Sequence, residues 1–199
     1  MKKAVEHLKS RCPRMRVVIE AVGPCRMKFL EPQFSTLARS IVFQQLSGKA
    51  ASTIYGRLEA AAGEVTPERI LALRPAKMRS LGLSRAKAEY VRDLARKTRD
   101  GEVDFAALAK MTDDDAVAHL TAVKGVGVWT VHMFQIFALR RPDILPTGDL
   151  GVRSAMKKVY ELEELPKPDE MIRLAAPLRP YASVASWYFW RSLDGPAAM

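Results

Sequence analysis

The stretch LTAVKGVGVWTVHMF, residues 120–134, interrupts a helical pattern with two glycines one residue apart. Apolar residues at helical spacing precede Gly125 and resume after Gly127. Because so few residues separate the two halves, the stretch predicts two helices joined by a sharp hairpin. Glycines at these positions permit positive φ and leave the backbone uncovered. Backbone N–H groups at the start of the second helix favour a phosphate, although an ordinary corner between helices has the same pattern.

Most other segments carry helix start and stop signals. Ser47 and Gly63 bracket one helix, and Ser84 and Gly101 bracket a strongly basic one. Further helix starts are expected at Ser35, Thr66, Asp104, Thr112, Asp169 and Ala182. The segment MRVVIEAV, residues 15–22, fits a strand or a helix, and sustained period-two alternation is absent. The sequence therefore predicts an all-α protein.

Composition limits the class of protein. The 199 residues carry 32 Lys and Arg against 22 Asp and Glu, a net charge of +10. This excess favours a polyanionic partner such as nucleic acid, with solubility as the plain alternative. We expect no membrane association and no secretory signal, because apolar runs are short and the N-terminus lacks an apolar segment. Two cysteines fit a reducing compartment, so we expect a cytoplasmic protein, nucleoid-associated in a bacterium or nuclear in a eukaryote.

An acidic residue follows the hairpin at a fixed distance. The segment LPTGDLGVRSA, residues 145–155, places Asp149 among turn formers, 22 residues after Gly127. An acid in this position caps the next helix or acts as a catalytic carboxylate. Spacing alone leaves both roles open.

The hairpin and the Asp149 segment together resemble the helix-hairpin-helix and Gly/Pro…Asp signature of the base-excision DNA glycosylase superfamily. Two further stretches, SIVFQQLSGKAAS (40–52) and LRPYASVASWYFWR (178–191), resemble its 3-methyladenine DNA glycosylase II branch. The resemblance covers roughly residues 34–191 and rests on four separated motifs in the same order.

The resemblance implies two helical lobes with a cleft between them. One lobe is expected over residues 33–143, with the helix-hairpin-helix at about 112–139. The other is discontinuous, formed by residues 1–32 and 144–199, with Asp149 at the mouth of the cleft. The N-terminal β-rich domain of larger members is not expected.

The implied activity is that of a monofunctional DNA glycosylase acting as a monomer on double-stranded DNA that contains damaged bases. Alkylated purines of the 3-methyladenine and 7-methylguanine type are the expected substrates, and Asp149 is the expected catalytic residue. Two alternatives remain: a glycosylase of the same fold for deaminated bases (hypoxanthine, uracil), and a non-catalytic helix-hairpin-helix DNA-binding module. The sequence does not rank 3-methyladenine, 7-methylguanine, 1-methyladenine and hypoxanthine.

The resemblance also assigns residues to the base pocket. Tyr181 occupies the position of an aromatic that stacks on the flipped base. Met133 stands at a position where the best-known bacterial member of the family has an aromatic residue. Trp129 stands where strand-cleaving members have a Schiff-base lysine, so it predicts a pocket wall and no lyase activity, with a core aromatic as the alternative. Trp187 and Trp190 are expected in the core.

Contacts with the DNA are implied in three places. The hairpin residues Gly125, Val126 and Gly127 are expected on the DNA backbone. The turn between two helices, Gln44, Gln45 and Leu46, is expected to supply the wedge, with Gln45 the better match and a helix-end glutamine the alternative. The basic segment 85–99 reads as a solvated helix face or as electrostatic support. No cofactor is expected for the chemistry, but the family implies Na⁺ or K⁺ at the backbone carbonyls of Thr121, Val123 and Val126.

Overall fold

A computed structural model describes residues 1–194, and within that range it is helical, with no strand. The all-α prediction is confirmed, and the ambiguous segment 15–22 lies in a helix. The helices in chain order are α1 (Lys2–Arg11), α2 (Pro13–Val22), α3 (Phe34–Phe43), α4 (Gly48–Ala62), α5 (Pro67–Ala72), α6 (Pro75–Ser80), α7 (Arg85–Arg99), α8 (Phe105–Leu108), α9 (Asp113–Thr121), α10 (Val128–Phe137), α11 (Leu150–Tyr160), α12 (Pro168–Ala175) and α13 (Ala182–Arg191), with a 3-10 turn at Ala176–Leu178.

The chain divides into two compact units, each with its own apolar core. The middle unit, Leu30–Leu139, contains α3 to α10. Helix α7 is central to this unit, because it packs against α3, α5 and α6. Fully buried Leu37, Ile41, Val91 and Leu94 hold α3 and α7 together. A central α7 fits its sequence, in which a row of small and branched apolar residues repeats at helical spacing.

The terminal unit joins residues 1–29 to residues 140–194 and contains α1, α2 and α11 to α13. The chain passes from one unit to the other after Phe29 and after Leu139, a few residues before the boundaries that the resemblance implies. Helix α13 packs against α2 and α11, and its Tyr188 and Phe189 are fully buried. The Tyr188 hydroxyl donates to the Gly23 carbonyl at 3.0 Å, which satisfies its polar tip and fastens the end of α2.

Most of the predicted helix starts are confirmed by side-chain caps. Ser47, Thr66, Ser84 and Thr112 each accept a hydrogen bond from the backbone N–H three residues on, and Asp104 caps α8.

Two of the predicted starts are wrong by two residues. Helix α3 begins at Phe34 rather than after Ser35, because buried Phe34 belongs to its first turn. Helix α12 begins at Pro168 rather than after Asp169, because proline is preorganised for the first helical position.

No helix within residues 1–194 is long and apolar enough to cross a membrane.

Candidate functional site

The two glycines of the hairpin serve different purposes. Gly125 has φ +75°, and a Cβ built on it would lie 2.1 Å from the Tyr90 ring. Gly127 has φ −95° and precedes the first residue of α10. A Cβ on Gly127 would meet no atom of the described chain within 4 Å beyond its neighbours. Gly125 is therefore required for the turn, whereas Gly127 leaves the N-terminus of α10 uncovered.

A buried carboxylate on α7 fastens the hairpin. Asp93 is 3% exposed, and its Oδ2 accepts the Lys124 backbone N–H at 3.0 Å. Arg96 forms an ion pair with the same carboxylate. The Lys124 ammonium lies 2.9 Å from Glu89 on α7. The backbone of the hairpin is thus bonded to α7 as well as packed on Tyr90, which fixes its position within the middle unit.

The structure brings the predicted wedge turn and the hairpin together. Gln44 Nε2 donates to the Gly125 carbonyl at 2.9 Å and to Thr130 Oγ1 at 3.1 Å. Gln45 is exposed and has φ +56°, a left-handed conformation that is uncommon for a residue with a side chain. Leu46 is 40% exposed. Gln44 therefore connects the turn to the hairpin, while Gln45 and Leu46 project into solvent.

The expectation of a merely solvated face on segment 85–99 is wrong for two of its cations. Lys87 Nζ donates to the carbonyls of Val42, at 2.7 Å, and Gln44. Arg92 donates to the carbonyls that end α5, among them Leu73 at 2.6 Å. Both side chains are half-buried, and burial lowers the pKa of Lys87. The apolar stems of long cationic side chains cover apolar surface. Their charged ends donate hydrogen bonds to backbone carbonyls that water does not reach.

Helix α10 is not buried all round. Val128 and Trp129 are 49% and 46% exposed at its start, while Val131 and Phe134 face the core. Met133 is half-buried. The core-aromatic alternative for Trp129 is therefore wrong, because other residues of α10 supply the packed face.

Asp149 is the N-cap of α11. Its carboxylate is 8% exposed, and Oδ1 accepts both the Val152 N–H at 2.7 Å and the Trp190 indole N–H at 2.8 Å. Gly151 leaves room for this arrangement, since its Cβ would lie 3.0 Å from Trp190 and 3.1 Å from Oδ1. The helix-cap alternative is thus confirmed as geometry, and capping is compatible with a catalytic role for the same carboxylate.

Trp190 is a member of the site that the sequence did not reveal. It was expected in the core, and it does pack against the core of the terminal unit, but its indole nitrogen bonds to Asp149. The spacing of aromatic residues along α13 predicts only that the Trp190 ring packs against the core. Nothing local in the sequence indicates a partner 41 residues away.

Tyr181 lies in the terminal unit immediately before α13. It is half-buried, and the His7 ring meets it edge to face with centroids 5.2 Å apart. Asp143 accepts the Ala182 N–H at 3.1 Å and so fixes the chain next to Tyr181. Asp149 and Tyr181 thus share the terminal unit, while the hairpin, the wedge turn and α10 belong to the middle unit.

Comparisons with known proteins agree on one family. A family model described as HhH-GPD superfamily base excision DNA repair protein matches residues 38–180. DNA-3-methyladenine glycosylase 1 of Schizosaccharomyces pombe is 29% identical over 198 residues, covering 96% of this chain and 86% of the relative. The Bacillus subtilis protein YfjP is 33% identical over 169 residues, which cover 81% of this chain, and the match spans only 59% of its own length.

Solved structures support the same assignment. The 3-methyladenine DNA glycosylase of Schizosaccharomyces pombe, in complex with abasic DNA, is similar with a TM-score of 0.82 and 30% identity, covering 94% of this chain and 95% of that one. A DNA-3-methyladenine glycosidase from Bacillus halodurans is similar with a TM-score of 0.86 and 33% identity, covering 98% and 90%. This chain belongs to the HhH-GPD superfamily of base excision DNA repair proteins.

Proposed function

We propose that this chain is a DNA glycosylase that flips alkylated purines out of duplex DNA and hydrolyses their N-glycosidic bond. The observation that carries the proposal is the nearly buried carboxylate of Asp149, held on a helix start downstream of the hairpin. Relatives named as 3-methyladenine DNA glycosylases, one of them in complex with abasic DNA, support the substrate class. The monofunctional form of this activity fits the chain best.

The chemistry needs little beyond a well-placed negative charge. A purine alkylated on a ring nitrogen is cationic and leaves readily, so the step that needs help is the formation of the oxocarbenium sugar. A carboxylate in a poorly hydrated site stabilises that cation and orients the attacking water. Asp149 fits this role because two hydrogen bonds to Oδ1 fix its orientation before the substrate arrives.

Base recognition is assigned to aromatic and soft side chains. A cationic base favours an aromatic face, so Tyr181 is proposed as its stacking partner, steadied by His7. Trp129 and Met133 are proposed as further walls of the pocket. The exposure of Trp129 favours such a role over packing.

The grip on DNA is assigned to the hairpin and the adjoining turn. The uncovered N–H groups at Gly127 and the start of α10 suit a phosphate, and the dipole of α10 adds to the attraction. The exposed Gln45 is proposed to fill the place of the flipped base, with Leu46 beside it.

The hairpin also suits a monovalent cation. Thr121 is the last residue of α9, so its backbone carbonyl lies at the C-terminal end of that helix, where carbonyls lack partners within the helix. The Val123 carbonyl accepts one bond, from Val126 N–H at 3.1 Å, and an amide oxygen has two lone pairs. Carbonyl oxygens of Thr121, Val123 and Val126 are therefore proposed as ligands for Na⁺ or K⁺, which would add positive charge toward a phosphate.

The absence of strand cleavage is proposed from the side chains around the hairpin. Trp129 offers no amine for a Schiff base. The Lys124 ammonium is held by Glu89, and the Lys87 ammonium is held by two carbonyls. Hydrolysis should therefore leave an intact abasic site.

A base-release assay tests the proposal. Duplex DNA treated with a methylating agent is incubated with the protein, free bases are separated, and the DNA is then exposed to alkali. Release of methylated purines, with breaks only after alkali, is the expected result. Binding without release would indicate a non-catalytic module. Release of hypoxanthine or uracil alone, from parallel duplexes that contain these bases, would indicate the deaminated-base alternative.

A further inference from the structure

We propose that Lys87 is a positioning residue for the wedge turn, residues 44–46, and that through this turn it controls excision from duplex DNA but not from single strands. The proposal rests on the proposed function, since it concerns the wedge of a base-flipping enzyme. Lys87 is assigned a positioning role because its ammonium bonds to backbone carbonyls at the turn.

The C-terminal end of α3 takes hydrogen-bond donors from outside the helix. The last carbonyls of a helix have no partner within it and carry the negative end of its dipole. Lys87 Nζ, from α7, supplies that partner by donating to the Val42 and Gln44 carbonyls. Because Lys87 is half-buried, water is a poor substitute for the ammonium at this point.

The Lys87 ammonium bonds next to an uncommon backbone conformation in the turn. Gln45 follows immediately with φ +56°, and a residue with a side chain holds this conformation only where its surroundings impose it. Lys87 holds the main chain of the preceding residue, and the Gln44 side chain is bonded to the Gly125 carbonyl and Thr130. The exposed wedge residue therefore stands on a turn that is fixed from two sides.

Helix α7 supports the hairpin as well. Tyr90 packs under Gly125, and Asp93 accepts the Lys124 N–H. One helix thus carries both elements assigned to the DNA, with Lys87 under the wedge and the other two residues under the hairpin. A fixed spacing between the wedge turn and the phosphate-binding hairpin removes an entropic cost when a base is flipped.

The experiment compares Lys87→Met with Lys87→Arg, and uses Lys97→Met as the matched control. Lys97 lies on the same helix and pairs with Glu102 at 2.6 Å, so its substitution removes the same charge without touching the turn. Single-turnover release of one alkylated purine is measured with enzyme in excess, from duplex and from single-stranded DNA. Lys87→Met should slow release from duplex by about tenfold, the typical effect of losing hydrogen bonds to a charged donor, and leave single-stranded release nearly unchanged.

The ratio of the two rates decides the matter, because partial unfolding lowers both rates together. Lys87→Arg should restore part of the ratio, and Lys97→Met should keep that of the wild type. Gln44→Met, which removes the other support of the turn, should lower the ratio as well and serves if Lys87→Met does not fold. Equal losses on both substrates, or no loss on duplex, would overturn the role of Lys87. A wild-type protein that releases no base from either substrate would instead overturn the proposed function.

Discussion

The charge of Asp149 should matter more than its shape, and Asp149→Asn separates the two. In the structure Oδ1 accepts both hydrogen bonds, from the Val152 N–H and the Trp190 indole. An asparagine amide oxygen in the same place accepts both bonds, and Asn caps helices about as well as Asp. The substitution therefore keeps the geometry and removes the charge.

The size of the effect follows from Coulomb's law for a sugar cation in contact with the carboxylate. Two unit charges about 4 Å apart in an effective dielectric of about 20 interact by about 4 kcal/mol. Loss of this attraction on the oxocarbenium ion predicts base release slower by about 10²–10³-fold, as for other preorganised charges. The two hydrogen bonds lose their charge assistance, about 1 kcal/mol each. Removing the cost of burying a negative charge offsets this loss, so for a chain of this size the melting temperature should change by no more than about 4–8 °C.

The assay is single-turnover release of 3-methyladenine, with melting temperature and duplex affinity measured on the same preparation. Asp104→Asn is the matched control, because Asp104 is an exposed N-cap that accepts the N–H groups of Ala106 and Ala107 at the start of α8. It should release base at the wild-type rate. Near-normal release by folded Asp149→Asn would refute the catalytic role.

Four further predictions concern the remaining site residues and stability. Gly127→Ala should fold, because its Cβ has room, yet bind duplex DNA more weakly whatever its sequence, and wild-type binding should fall by roughly 0.9 log units per contacted phosphate per log unit of salt. With Trp129 in place of an amine, borohydride should trap no covalent enzyme–DNA adduct, and a trapped adduct would contradict the monofunctional proposal. Tyr181→Ala should slow release of cationic bases more than of neutral ones, because stacking contributes about 1–3 kcal/mol per base and charge adds to it; equal losses would count against stacking. Burial lowers the pKa of His132, so the unfolded chain binds its proton more readily than the folded one. The contribution of His132 to the free energy of unfolding should be fully present above an ordinary histidine pKa and should be lost as the pH falls through the lower folded value. A His132→Gln variant whose stability falls equally steeply in acid would contradict this.

The sequence predicts well where the physics is local. The hairpin follows from a chain reversal within a few residues, which Gly125 makes with its positive φ. The caps at Ser47 and Thr112 follow from a side chain that bonds three residues away. The family signature predicts Asp149 as a candidate site residue from the sequence alone.

Prediction fails where a polar tip finds a distant partner. Hydrophobic spacing correctly places the body of Trp190 against the core, but its indole donor serves Asp149. The same holds for Lys87, whose partner Gln44 lies 43 residues back in the chain. Hydrophobic patterning in a sequence reports only the apolar stem of such a side chain. The partner of its polar head becomes visible only in the tertiary structure.

Helix capping and catalysis are therefore complementary roles for Asp149 rather than competing ones. As a cap alone, asparagine would serve equally well and would spare the protein the cost of burying a negative charge. A carboxylate with 8% exposure thus has a cost that capping does not explain. The two bonds to Oδ1 do explain how that charge is held still, because Val152 fixes the carboxylate to the start of α11 and Trp190 fixes it to α13. A charge oriented in advance costs no reorganisation when the sugar becomes cationic, and that is the condition under which it accelerates bond cleavage.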